Sequence, residues 1–318
     1  MTTDSRSIYR HRLPQLDALM FLTDGGLETS LIYDQGFDLP DFAAFVLFDD
    51  DRGRAALARY FEDYAAIAVR DGVGLVVETA TWRANPDWAA KQGRSQEELV
   101  EIDRAAVDLL IDIRRRFETE SSPIVISGCV GPRGDGYQPG RLMSADEACR
   151  YHAAQVSTFA DTSADLVTAI TMTYPAEAIG IARAAQSVAM PAVISFTVET
   201  DGALPTGQAL GEAIREVDDA TDGHPAYYMV NCAHPTHFEQ VLDPDQAWTQ
   251  RIGGIRANAS RMSHAELDNA TELDAGDPDE LARQYCQLRL VHPRIVVLGG
   301  CCGTNQRHID AISTAVLQ

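Results

Sequence analysis

The chain has 318 residues, 45% of them hydrophobic and 23% charged, proportions that suit a folded globular protein and argue against extensive disorder. Its 47 acidic residues outnumber 26 basic ones, and the resulting formal charge of −21 repels phosphate backbones and anionic headgroups, which argues against nucleic acid or a membrane surface as partner. No apolar run reaches the ~18 to 20 residues of a bilayer crossing, and the polar start of the chain lacks the apolar centre of a signal peptide, so the expected location is the cytoplasm, where the six cysteines stay mostly reduced.

The first 18 or so residues read as an arm ahead of a first strand at 20–24. Leu57, Tyr60, Phe61, Tyr64 and Ala68 then fall at spacings of three and four, one apolar helical stripe, with Gly72 placed for a C-terminal cap. A second strand at 74–80 precedes a helix over 96–117, whose Leu99, Ile102, Ala106, Leu109, Leu110 and Ile113 share a face. Further β-branched runs follow at 124–128, 166–171, 192–198, 227–231, 253–257 and 295–299. Near-continuous apolar runs such as Ile295-Val296-Val297-Leu298 suit parallel strands covered on both faces. Eight strand–helix units, with no G-x-G-x-x-G after the first strand, favour a closed (β/α)8 TIM barrel in one domain over an open doubly wound sheet. The polar stretch 260–278 is the longest poorly patterned connection and is expected as a loop over the mouth.

In such a barrel, chemistry collects where the strands end. Asp24-Gly25-Gly26 follows the first strand, Glu78-Thr79 ends the second, Asn231-Cys232 ends the sixth, and Gly299-Gly300-Cys301-Cys302-Gly303-Thr304 ends the eighth. One strand separates the sixth from the eighth, so Cys232, Cys301 and Cys302 can converge on one metal ion, the glycines relaxing the backbone around the vicinal pair. Zinc is the expected ion, redox-inert and bound by thiolates at ~2.3 Å, with the fourth tetrahedral position left for a substrate. Three thiolates overcompensate the charge of the ion, which favours a bound substrate thiolate over activated water. The expected reaction is therefore attack of a sulfur on an activated carbon. Burial as a small hydrophobe is the competing reading of any one cysteine; it suits Cys149 and Cys286 in helical stretches and is favoured for Cys129.

These same segments resemble the signatures of the homocysteine S-methyltransferase family: Asp24-Gly25-Gly26, Asn231-Cys232 and Gly299 to Thr304, with Glu78-Thr79 and Gly131-Pro132 also matching. The resemblance implies a zinc-dependent barrel enzyme that methylates homocysteine to methionine, the metal on Cys232, Cys301 and Cys302. It further implies that Asp24 and the backbone at Gly25 and Gly26 hold the amino-acid part of the substrate near Thr79, while Asn231 orients the substrate or Cys232. Where relatives carry a glutamate at the end of the fourth strand, this chain has Ile170. Glu78 or Glu199 is then expected to supply the carboxylate, or the acceptor is a different thiol.

The expected partners are a small-molecule thiol acceptor and a methyl donor, with a homo-oligomer allowed. S-methylmethionine or S-adenosylmethionine is the expected donor, betaine the alternative, because an acidic, aromatic mouth favours a cation; Trp82, Trp88, Tyr137 and Tyr174 are candidates for it. His234 and His237 read as loop or helix-start residues, or as pocket lining. Two rival classes are a zinc hydrolase, which would call for His or carboxylate ligands, and a non-catalytic zinc-binding protein, which would call for a fourth protein ligand.

Overall fold

The computed structural model describes residues 7–17 and 19–318. Eight parallel strands close into a barrel in chain order: β1 (Phe21–Leu22), β2 (Gly74–Glu78), β3 (Ile124–Val130), β4 (Leu166–Met172), β5 (Ala192–Phe196), β6 (Pro225–Asn231), β7 (Ile252–Ala257) and β8 (Val297–Gly300). Closure is made by β1 against β8, with Phe21 opposite Val297 and Leu22 opposite Leu298. Every expected strand is present, with shifted ends. β1 is shortest, because the chain leaves the ladder at Asp24 to turn across the barrel mouth.

The outer helices form where the apolar stripes lie. In Asp51–Asp71 the residues Leu57, Tyr60, Phe61, Tyr64 and Ala68 are all buried, Asp50 caps the start by accepting from the Gly53 amide, and Gly72 ends the helix at φ 63°. Gln96–Phe117 opens on a reciprocal capping box between Ser95 and Glu98. Two apolar cores result. The larger lies between helices and sheet; the smaller fills the barrel, where Phe21, Val76, Val125, Leu166, Val193 and Met229 point inward. Among the described residues, no helix is long and apolar enough to cross a membrane.

The described part of the N-terminal arm closes the end of the barrel opposite the mouth; residues 1–6 and 18 lie outside the described residues. Leu13 joins the interior core and Tyr9 packs against it. Asp165, fully buried just before β4, accepts from the amides of Ile8 (3.0 Å), Tyr9 (2.8 Å) and Ile126 (2.9 Å) and pairs with Arg114. Arg10 donates to the carbonyls of Ala160, Thr162 and Ala164, which satisfies the backbone at the turn before β4. Asp165 thus joins three segments, and removing its charge leaves the buried Arg114 unpaired. Asp165→Asn is predicted to lower stability by about 3 kcal/mol in urea unfolding; a change within about 0.5 kcal/mol, the usual range for surface substitutions, would show that the arm is held by other contacts.

Candidate active site

Strand β7 organises the mouth. Its Arg256 carbonyl accepts from the Cys232 amide (3.1 Å), and the next carbonyl, of Ala257, accepts from the Cys301 amide (2.8 Å). Successive carbonyls of a strand point to opposite sides, so one strand places a cysteine from each of its neighbours. The sulfurs of Cys232, Cys301 and Cys302 lie within 4.8 Å of one another, the only such ligand cluster among the described residues. Cys232 and Cys301 are in bonding contact as a disulfide, a pairing the sequence did not suggest, while Cys302 keeps a free thiol. Three thiolates on one tetrahedral ion at ~2.3 Å would sit ~3.8 Å apart, so the donor set fits a thiophilic metal once all three are reduced.

The backbone is strained where it aims these sulfurs. Cys232 has φ 52° and Thr171, at the bulged end of β4, has φ 64°, each costing on the order of 1–3 kcal/mol. Asn231 offsets this. Its side chain accepts from the Thr171 amide (3.0 Å) and the Ser195 hydroxyl (2.6 Å) and donates to the Thr171 hydroxyl (2.9 Å), while Asn258 donates to the Cys232 carbonyl (3.0 Å). Asn231 is fully buried and does not line the cavity, so it braces the backbone beside Cys232.

The glycines act differently from the expectation. Gly299 and Gly300 leave no room for a Cβ against Thr23 and Thr304, and only Gly303, at φ 78°, needs a left-handed backbone. A Cβ on Gly26 would lie 2.6 Å from the Cys301 carbonyl oxygen, and one on Gly25 would lie 2.8 Å from that of Thr304. These contacts fit the β1 turn against the cysteine loop.

Asp24 and Glu78 meet around a residue the sequence reading passed over. Arg256 pairs with Asp24 (2.6 Å) and with Glu78, and its Nε donates to the Gly300 carbonyl (3.1 Å). Tyr60 donates to the second oxygen of Asp24 (3.0 Å). Burial pushes both carboxyls up and Arg256 opposes it. The expected ammonium site at Asp24 therefore already holds a cation. Likewise the Gly26 amide donates to the Thr304 carbonyl (3.0 Å). An arginine in the otherwise apolar Ile252–Ala257 was the available signal for this centre.

Above these groups lies a cavity of about 290 Å3, lined by all three cysteines, Asp24, Gly25, Gly26, Glu78 and Thr79. Thr79 shares a 2.6 Å hydrogen bond with Thr81 and accepts from the Cys129 amide (2.8 Å). Cys129 and Ile170 contribute an apolar wall, and burial raises the Cys129 thiol. Seven carboxylates line the space (Asp24, Glu28, Glu78, Asp135, Asp268, Glu272 and Asp274) against two arginines, Arg83 and Arg256. Burial, with the charge of Asp24 adding, pushes Glu28 up to about 7. Tyr137 lines the cavity, donates to Cys232 Sγ (3.5 Å) and hydrogen-bonds Cys302 Sγ (3.6 Å), with its ring 4.5 Å from that of His264. The stretch 260–278 lines the cavity through Leu267, Asp268, Glu272 and Asp274 and contains a short helix, His264–Asp268, where a loop was expected.

Other expected residues fall elsewhere. Glu199 is in the turn after β5, outside the cavity lining, as are Trp88 and Tyr174; Trp82 and Tyr137 do line it. His234 caps the short helix Pro235–Phe238, and His237 hydrogen-bonds the Arg261 carbonyl (2.9 Å), so neither faces the cavity. Cys149 and Cys286 are half-buried on outer helices.

Residues 21–316 match the homocysteine S-methyltransferase family profile. The chain belongs to the homocysteine S-methyltransferase family. It is accordingly a methyltransferase, and its three clustered sulfurs lie close enough together to serve as ligands of one metal ion. No curated protein matches it by sequence. Among solved structures it is similar to the homocysteine methyltransferase MmuM of Escherichia coli. The metallated form superposes with TM-score 0.75 at 19% identity, covering 95% of this chain and 98% of that one. The oxidized form gives 0.75 at 20%, covering 95% and 97%. At these identities the likeness supports the barrel fold.

Because Asn231 holds Thr171 and the backbone leading to Cys232, Asn231→Ala is predicted to lower metal affinity by about 10-fold or more and stability by about 1–3 kcal/mol. Chelator competition and urea unfolding measure the two; unchanged metal affinity would mean that the cysteine geometry does not depend on this brace.

Proposed function

We propose that the chain methylates the thiol of homocysteine, with zinc on Cys232, Cys301 and Cys302 and a sulfonium compound as donor. The observation that carries this reading is the convergence of three sulfurs on a cavity lined by seven carboxylates and two arginines. Soft thiolates favour zinc among common redox-inert ions. When bound, zinc would stabilise the acceptor as a thiolate at neutral pH, where a free thiol of pKa ~8.5 is mostly protonated. A structural zinc site would call for a fourth protein ligand, and a hydrolase for His or carboxylate ligands; no fourth ligand of those kinds joins the cluster among the described residues.

The residues of the chain supply the rest. The acidic lining lowers the energy of a cation and so draws in a sulfonium donor. Trp82 and Tyr137 supply aromatic lining beside it, each with one partner already on its ring, Arg83 and His264. A cavity near the small end of the range for ligand sites suits a methylated amino acid such as S-methylmethionine better than a donor carrying a nucleoside. In the transfer, a lone pair of the acceptor sulfur forms the new bond to the methyl carbon, and the electrons of the broken carbon–sulfur bond pass to the donor sulfur, which leaves as a neutral thioether. Opposite charges cancel in that step, so excluding water favours it; the 260–278 segment that lines the cavity serves this end. The proposed setting is the cytoplasm, whose reducing poise keeps the three cysteines free of disulfides and available to the metal.

Methyl transfer from S-methylmethionine to homocysteine is expected for the reduced, zinc-loaded protein, with loss on chelation and recovery on adding zinc. Cys302→Ser is expected to lose both zinc stoichiometry and turnover. Full activity of that variant, or activity indifferent to chelator, would contradict the zinc reading.

A further inference from the structure

The cavity holds a second pair of opposite charges that the Arg256 centre does not use. Arg256 is occupied: its Nε reaches Gly300, Nη1 reaches Glu78, and Nη2 reaches Asp24 and the Gly25 carbonyl (3.3 Å). Asp24 and Glu78 are thereby matched to a cation of the protein itself. Glu28 is not. It is half-buried in the cavity wall and makes no hydrogen bond or ion pair with another side chain among the described residues.

Arg83 is its counterpart. It is 6% exposed, lines the same cavity, and is clamped between the rings of Trp82 and Trp88 at 4.0 and 3.9 Å. This fixes the plane of the guanidinium. One bond goes to the Gly134 carbonyl (2.9 Å), the half-exposed Asp135 stands 4.0 Å away, and the buried Nε has no partner among the described residues. A buried guanidinium with unused donors is costly, and its fixed fork matches a carboxylate. Each of Glu28 and Arg83 feels the charge of the other, yet they form no ion pair among the described residues. Glu28 lines the same cavity as Tyr137 and Cys302.

We infer that Glu28 and Arg83 read the α-ammonium and α-carboxylate of an amino-acid ligand, and so decide which compounds the cavity accepts. The zwitterionic head group is complementary to this pair, while Ile170 and Cys129 give the methylenes an apolar wall. The inference rests on the methyltransferase reading, and both acceptor and donor can present such a head group.

Kinetics of the full-length, zinc-loaded enzyme with S-methylmethionine as donor separate the two sources. The acceptors are homocysteine, 4-mercaptobutanoate, which lacks the ammonium, and 3-aminopropane-1-thiol, which lacks the carboxylate. Glu28→Gln is expected to raise the KM of homocysteine at least about tenfold and to leave that of 4-mercaptobutanoate unchanged. Arg83→Lys, which keeps the charge and loses the fork, is expected to raise the KM of homocysteine and to spare 3-aminopropane-1-thiol. If the KM of S-methylmethionine moves instead, the pair reads the donor. Unchanged KM for both substrates in both variants, or an equal fall in kcat on all acceptors, overturns the inference. Zinc content checks that each variant is folded. If the wild type methylates no thiol, the methyltransferase reading fails separately, and calorimetry with homocysteine and with S-methylmethionine still tests the pair: affinities equal in wild type and both variants would overturn it.

Discussion

Two adjacent carbonyls of β7 fix the geometry on which the site depends. Arg256 and Ala257 receive the amides of Cys232 and Cys301 from opposite sides, so the spacing of the cysteines follows from barrel closure. Because β6 and β8 are parallel neighbours of the same strand, residues 69 apart in sequence reach one point. The β1 turn is then pressed onto the cysteine loop, since Gly25 and Gly26 meet the carbonyls of Thr304 and Cys301 without a Cβ between them. A substituent at either glycine would move the loop that carries two of the three sulfurs.

The side chain of Arg256 extends this arrangement. It crosses from β7 over the end of β8 to reach the ends of β1 and β2, where it meets Asp24 and Glu78. A guanidinium between two buried carboxylates is stable only with its remaining donors satisfied, and the Gly300 and Gly25 carbonyls take them. The result is a stiff, anionic floor beside the sulfurs. Strain at Cys232 and Thr171 is tolerated there because Asn231 and Asn258 hold the backbone on both sides. On the proposed reading this rigidity keeps the metal geometry constant while ligands enter from the mouth.

Much of this was legible in the sequence because it depends on local pattern. Eight apolar runs with amphipathic stretches between them specify a barrel. A vicinal cysteine pair at one strand end and Cys232 at another identify the sulfur cluster. Long-range contacts were not legible. Arg256 reads as one polar residue in a strand until closure shows that it faces Asp24 and Glu78, and its presence changes the part expected of Asp24. Glu28 lies two residues beyond the Asp24-Gly25-Gly26 segment, and only the fold shows that it lacks a side-chain partner among the described residues. Glu199 follows β5 as Glu78 ends β2, yet the turn carries it outside the cavity lining. The glycines around Cys301 were recognised, but their main reason is close packing against Thr23 and Thr304, which no sequence window contains.

The most direct test is X-ray absorption at the zinc edge on the reduced, zinc-loaded protein, with and without homocysteine. Three sulfur neighbours at ~2.3 Å, rising to four when homocysteine is added, are expected if Cys232, Cys301 and Cys302 share one ion with a vacant position. Fewer than three sulfurs, or a coordination shell that homocysteine leaves unchanged, would contradict it.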